Sequence, residues 1–310
     1  MSDKRSEKIE DEAADAAAAA VPRAPTGDLE PAGLLTGLFG NNIGSSRSPY
    51  LHQREADAQG LRLIYRLYDF EAFGLEAADL ERMLAAAAAL GFAGLNITYP
   101  FKQSIIPLLD EMTDNAARVG AVNTVLFQAG RMIGENTDSL GFAESLRRGL
   151  PGARMARVVQ LGAGGAGAAT AHALLEAGTR ELVLIDVDQE RGASLADNLR
   201  RHHGDREIRI GRDIDGEVRD ADGLVNATPI GMVGHPGSPV PVDVLHPRLW
   251  VADIVYFPLE TALLSAARAI GCRTLDGSGM AVFQAAAAFD VFTGIVADRD
   301  RMLRSFAEFS

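Results

Sequence analysis

Residues 157–167 constrain this chain more than any other stretch. Arg157-Val158-Val159-Gln160-Leu161 has the apolar run of a buried strand, and Gly162-Ala163-Gly164-Gly165-Ala166-Gly167 follows at once. Gly162, Gly164 and Gly167 fit the spacing GxGxxG, and a helix is expected directly after them over 166–177. Glycine suits such a turn because the backbone must bend tightly and approach a pyrophosphate, whose charge then rests on the helix N-terminus. Gly165 and Ala166 complete the passage. A helix–sheet turn without a ligand can look the same. The strand before it and the helix after it favour dinucleotide binding.

The alternation continues downstream. Glu181–Ile185 reads as the next strand and 189–201 as the next helix, with further strands expected at 207–210, 223–226 and 250–254. That order implies a parallel, doubly wound sheet. Asp186 ends the second strand and Asp188 follows it. A carboxylate there can accept hydrogen bonds from the adenosine ribose and repels a 2′-phosphate, which makes NAD the expected cofactor, with NADP as the second choice. Arg191 lies a turn into the helix and either softens that repulsion or faces solvent, and Asp188 also suits an N-cap.

Upstream the chain is also α/β. A strand ending at 38–40, a helix from Ser48-Pro49, a strand over 62–70, a helix over 75–90 and a strand over 94–98 are expected. Paired strands at 121–127 and 131–133 flank Gly130, and a second unit opens near Ser139 with a helix over 142–150. The last helices are expected at 279–293 and 298–309. Residues 1–33 combine mixed charges, the alanines 16–20, and Pro22, Pro25 and Pro31. They lack spaced large apolar residues and are expected to form a disordered tail.

At 310 residues the chain has room for two cores. A net charge of −12 argues against nucleic acid and anionic membranes as partners. A small anionic substrate stays compatible, because a few local donors override a screened field. Cys272 is the single cysteine, so neither an internal disulfide nor a thiolate metal site is expected. The six histidines lack ligand spacing, and no metal is expected. Apolar runs such as 83–90 are too short to span a bilayer, and the N-terminus lacks a basic-then-apolar signal pattern. The expected location is cytoplasmic.

Three passages carry sharper chemistry. Ser46 and Ser48 sit in Gly44-Ser45-Ser46-Arg47-Ser48-Pro49 at a helix start, where hydroxyls and amides can hold a carboxylate. Ser48 could equally act as a plain N-cap with Pro49 behind it. Asn96-Ile97-Thr98-Tyr99-Pro100-Phe101-Lys102 brings an amide, a hydroxyl and an ammonium to a strand's end. Gly120-Ala121-Val122-Asn123-Thr124 and Glu135-Asn136-Thr137-Asp138 add a second amide and a carboxylate near the nucleotide unit.

Together these passages resemble the shikimate dehydrogenase family, and the similarity runs from Leu35 to the C-terminus. Asp253-Ile254-Val255-Tyr256, Gly279-Met280-Ala281-Val282-Phe283-Gln284 and Asn226-Ala227-Thr228-Pro229 resemble its later motifs. The resemblance implies an N-terminal α/β substrate-binding domain (34–137, completed by helices over 277–310) and a Rossmann-type domain over 138–276. It implies Lys102 and Asp138 as the catalytic pair, and Ser46, Ser48 and Tyr256 around a substrate carboxylate. Asn96, Thr98, Asn123 and Gln284 would read ring hydroxyls. Gly162, Gly164, Gly165, Ala166, Gly167, Asp186, Asp188, Arg191, Asn226, Thr228, Val255 and Gly279 would meet the cofactor.

The implied reaction is hydride transfer from the 3-hydroxyl carbon of shikimate to NAD(P), in aromatic amino-acid biosynthesis. Quinate turnover with NAD, in quinate catabolism, is the alternative. A non-catalytic nucleotide sensor is a remote third, disfavoured by the presence of both Lys102 and Asp138. Lys102 would either take the hydroxyl proton or remain an ammonium that stabilises the alkoxide. Many members carry an Asn-Arg-Thr passage where this chain has Asp186-Val187-Asp188, so the acidic version looks like the NAD-preferring quinate/shikimate branch. Asn42 replaces a frequent proline, and Phe283 and Ala285 depart from the usual neighbours of the glutamine, a change expected to reshape the pocket at ring carbon 1. A monomer or a homodimer is expected.

Overall fold

The computed structural model describes residues 33–308. The expected tail therefore lies outside the described residues except for Gly33, as does Phe309. From Gly33 onward the chain forms one unit.

The first sheet is mixed. β1 (Leu34–Gly40) leads to α1 (Ser48–Ala58), which carries Pro49 in its first turn, where a missing N–H costs nothing. β2 (Leu63–Asp69), α2 (Leu80–Ala89), β3 (Gly94–Ile97) and β4 (Glu111–Met112) follow. α3 (Asp114–Val119), β5 (Thr124–Gln128) and β6 (Arg131–Glu135) complete this part, in the order β2-β1-β3-β5-β6-β4. β1 is parallel to β2 and β3, whereas β3, β5 and β6 run antiparallel. The hairpin between β5 and β6 turns through Ala129 and Gly130 at φ 51° and 75°, the left-handed pair a two-residue hairpin wants.

α4 (Thr137–Gly149) starts five residues before the helix expected at 142–150, because Asn136 caps it by accepting from the Ser139 amide at 3.0 Å. Asp138 therefore stands in a helix's first turn rather than in a connecting loop.

β7 (Arg157–Leu161), α5 (Gly165–Glu176), β8 (Glu181–Ile185), α6 (Gln189–His202) and β9 (Glu207–Ile210) form one half of the second sheet. α7 (Ile214–Arg219), β10 (Gly223–Asn226), β11 (Trp250–Asp253), α8 (Ala262–Ile270) and β12 (Arg273–Leu275) form the other. The order β12-β11-β10-β7-β8-β9 is parallel throughout and reverses direction between β7 and β10, the crevice where such sheets bind ligands. Both faces are covered: Val158 packs with Leu174 and Leu199, and Val159 packs with Val218 and Leu263. α3, α7, α8, β4 and β12 escape the sequence reading, mostly because they are six residues or fewer.

α9 (Ser278–Thr293) and α10 (Arg299–Ala307) return to the first sheet, where Val282 and Phe289 join Leu38, Leu51 and Tyr65 in one core. α9 crosses α4 closely: a Cβ on Gly141 would lie 2.5 Å from the Gln284 nitrogen. Among the described residues, no helix is long and apolar enough to cross a membrane.

Candidate active site

A cavity of about 180 Å³ opens between the ends of the two sheets. Ser46, Ser48, Asn96 and Thr98 line it from the first sheet's side, and Lys102, Asn123 and Asp138 meet them there. Tyr256 and Gln284 close it from the later segments, with Ala166 of the glycine turn at its boundary. All nine residues expected around the substrate thus share one space.

Lys102 Nζ lies 2.6 Å from Asp138 Oδ2, and the two side chains are 18% and 9% exposed, so the pair is mostly screened from water. Asp138 Oδ1 accepts from Asn123 Nδ2 at 2.8 Å. The Lys102 stem runs beside the glycine turn, where a Cβ on Gly165 would come within 3.3 Å of its Cδ. Asn123 is itself held by the Thr137 amide, which donates to its Oδ1 at 2.7 Å.

Asn96 accepts from the Tyr65 hydroxyl at 2.8 Å and donates to Thr124 Oγ1 at 3.0 Å. Neither Tyr65 nor Thr124 stood out in the sequence as a site residue. Thr124 follows the asparagine of its motif and could have been found there; Tyr65 carries no motif signal. Ser46 Oγ and Ser48 Oγ lie 3.2 Å apart, and the Ser48 amide donates to Ser46 Oγ at 3.3 Å. Ser48 does not cap α1. Arg47 holds the cap position without a side-chain cap bond, which leaves the Ser48 hydroxyl on the cavity wall.

On the nucleotide side the three glycines differ in their reasons. Gly162 has φ 97°, and a Cβ there would fall 2.6 Å from Ala227 O. A Cβ on Gly167 would fall 2.3 Å from Gly162 O. Gly164 faces open space at the N-terminus of α5, the position where backbone amides can meet a pyrophosphate. The buried Gln160 staples the turn by donating to Gly162 O at 2.9 Å and Gly167 O at 2.8 Å. Beside it, a second cavity of about 710 Å³ is lined by Thr228, Val255, Tyr256, Met232 and Arg47. The open cradle and this adjoining space fit a dinucleotide.

Asp186 is nearly buried. Burial alone would raise its carboxyl, but Arg191, donating at 2.6 and 3.2 Å, and the amides of Asp188 and Ala163 hold it below the usual carboxylate range. Asp188 caps α6 by accepting from Glu190 and Arg191, so its carboxylate serves the helix.

One expectation needs correction. Asn226 is fully buried, donates to Asp253 at 2.9 Å and accepts from Thr228, so its side chain ties the ends of β10 and β11 together instead of facing a cofactor. Asp253, pushed up by burial, is the other half of that tie and also accepts from Thr261 at 2.8 Å. Gly279 packs against Ser145, where a Cβ would lie 2.2 Å from its Oγ. Phe283 is buried under the Arg148 guanidinium at 5.0 Å, and Ala285 is in the core. Asn42 has φ 55°, beyond a proline's reach, and its amide donates to Asp69.

The chain matches known proteins along most of its length. A family model of the shikimate dehydrogenase substrate binding domain matches residues 38–125. A shikimate dehydrogenase (NADP(+)) of Streptomyces avermitilis is 55% identical over 276 residues, which span 88% of this chain and 95% of the relative. A quinate/shikimate dehydrogenase (NAD(+)) of Corynebacterium efficiens is 47% identical over 88% of this chain and 97% of its own length. The solved structure of quinate dehydrogenase from Corynebacterium glutamicum in complex with NAD aligns with a TM-score of 0.85 at 45% identity, covering 89% of this chain and 99% of that one. Likeness of this extent across both sheets places the chain in the shikimate dehydrogenase family of NAD(P)-dependent oxidoreductases that act on a CH–OH group.

Proposed function

We propose that this cleft oxidises the 3-hydroxyl carbon of shikimate, reversibly, with NAD as the preferred acceptor. One observation carries the reading: Lys102 and Asp138 meet at 2.6 Å inside a cavity that also holds paired serine hydroxyls and convergent amides, beside the glycine turn. A polyhydroxylated acid needs such a set, since each ring hydroxyl buried without a partner costs about 1–3 kcal/mol. The domains divide accordingly, 34–137 with 277–310 for substrate and 138–276 for nucleotide.

Ser46 and Ser48 take the carboxylate, with Tyr256 above it. Asn96, Thr98, Asn123 and Gln284 read the hydroxyls and fix the ring. Bound at the glycine turn and along the larger cavity, a nicotinamide dinucleotide supplies the hydride acceptor. Lys102 donates to Asp138 and takes the hydroxyl proton onto the Nζ lone pair as the ring carbon gives up its hydride, and the ammonium so formed faces the oxygen of the new carbonyl while Asp138 balances its charge. Asn123 holds Asp138 from the far side and keeps that carboxylate aimed at Lys102.

The preference for NAD rests on Asp186. It stands at the end of β8, its neighbour Val187 is wholly exposed, and no arginine occupies position 187 to grip a 2′-phosphate. Quinate is the second reading, supported by the 47% identity to a relative named for both acids. Initial rates on shikimate and quinate, each with NAD and NADP, test the assignment. Shikimate with NAD should exceed shikimate with NADP at least about tenfold in kcat/KM, a difference of about 1.4 kcal/mol. Equal rates with the two cofactors would remove Asp186 from the argument, and no turnover of either acid would remove the substrate.

A further inference from the structure

Tyr65 belongs to no motif and lines neither cavity, yet it stands directly behind Asn96 of the substrate cradle. β2 alternates, burying Leu63 and Tyr65 and exposing Ile64 and Arg66. The Tyr65 ring is 3% exposed, and its hydroxyl donates to Asn96 Oδ1 at 2.8 Å. His52, one turn beyond Ser48 on α1, lies against the Tyr65 ring at 4.7 Å and 29°, with Phe289 and Phe292 around it. No described residue hydrogen-bonds either His52 nitrogen, so the imidazole acts on Tyr65 as an aromatic plate.

A primary amide can sit either way round, with oxygen and nitrogen exchanged. The Asn123 carbonyl, which can only accept, turns the Asn96 nitrogen toward itself at 3.3 Å and toward Thr124 Oγ1 at 3.0 Å, and the phenol then holds the amide from the other end by donating to Oδ1 at 2.8 Å. Thr124 in turn donates to Asn123 Oδ1 at 3.1 Å, and Asn123 reaches Asp138. We infer that Tyr65 is a positioning residue, whose buried hydroxyl holds the Asn96 amide in the orientation that receives the ring. It acts through that side chain. The inference rests on the reading of Asn96 as a substrate contact.

Tyr65→Phe keeps the ring and removes only the oxygen. The KM for shikimate should rise about tenfold and the KM for NAD should stay within about twofold, with kcat lowered less than about threefold. Asn96→Ala should raise the shikimate KM at least as much, and the double variant should be no worse than Asn96→Ala alone, since the phenol then has nothing left to orient. Unfolding midpoints supply the second measurement. The upward shift caused by shikimate should shrink in Y65F while the shift caused by NAD is kept. An unchanged shikimate KM in Y65F, multiplying effects in the double variant, or equal loss of both ligand shifts would overturn the inference. A shikimate KM untouched by Asn96→Ala would instead overturn the cradle reading, and the inference with it.

Discussion

The two sides of the cleft recognise their ligands by opposite means. At the glycine turn, recognition depends on side chains that are missing: Gly162 and Gly167 let backbone meet backbone, and Gly164 leaves the mouth open. Across the cleft it depends on a surplus of side chains, where Asn96, Asn123, Thr124, Thr137 and Asp138 bond one another before any ligand arrives. The turn is one continuous stretch of chain and tolerates little inside it. The cradle gathers distant segments and is held by mutual hydrogen bonds, so a fault at one residue passes to the next. Backbone geometry suffices for a pyrophosphate, which every dinucleotide shares; a particular ring acid needs donors and acceptors at set points.

Substitutions on each side should separate these modes. The largest effect is expected at the pair: Lys102→Met should cut kcat by about a thousandfold or more while NAD affinity stays within about threefold, since only the reacting oxygen loses its partner. Near-normal turnover in stopped-flow assays would exclude Lys102 from the chemistry. Next comes the turn. Gly164→Val, whose Cβ meets open space at φ −72°, should leave the melting midpoint nearly unchanged yet weaken NAD binding about a hundredfold by calorimetry. Gly167→Val should instead lower the midpoint by about 5 °C or more, because its Cβ overlaps Gly162 O. If the two variants behaved alike, the division between open mouth and packed turn would fail.

The smallest effect is on stability against pH. Burial pushes His52 down from its ordinary 6.5 to about 3. The unfolded chain takes up a proton below about pH 6.5 that the folded protein refuses, so this contribution is complete above 6.5 and is lost as pH falls, by about 1.4 kcal/mol per unit. His172, lowered to about 4 chiefly by burial, acts in the same direction. Denaturant unfolding at pH 7 and pH 5.5 should show the loss, and His52→Phe should remove the His52 share of it and leave that of His172. An unchanged slope in that variant would place the sensitivity elsewhere.

Legibility followed distance along the chain. The strands at 157–161, 181–185 and 223–226, and the helices beginning at 165 and 189, could be read from adjacent residues because their apolar runs and glycine or aspartate ends are local signals. The start of α4 could not, since Asn136 caps it only when its oxygen is turned to the Ser139 amide. Nothing local in Asn226-Ala227-Thr228-Pro229 shows that the Asn226 amide is spent on Asp253, because that partner arrives from the neighbouring strand. At Gly279 a helix crossing, against Ser145, calls for the glycine. Tyr65 gave no local sign at all.

Residue order alone determined the alternating elements, the glycine turn and the acid at position 186. Those features depend on local backbone preference and on apolar periodicity, which act over a few residues. Tertiary packing decided which polar groups face the cleft and which face each other. Whether a buried amide such as Asn96 or Asn226 points outward or serves as a brace depends on the nearest donor in space, and that donor comes from another strand or loop.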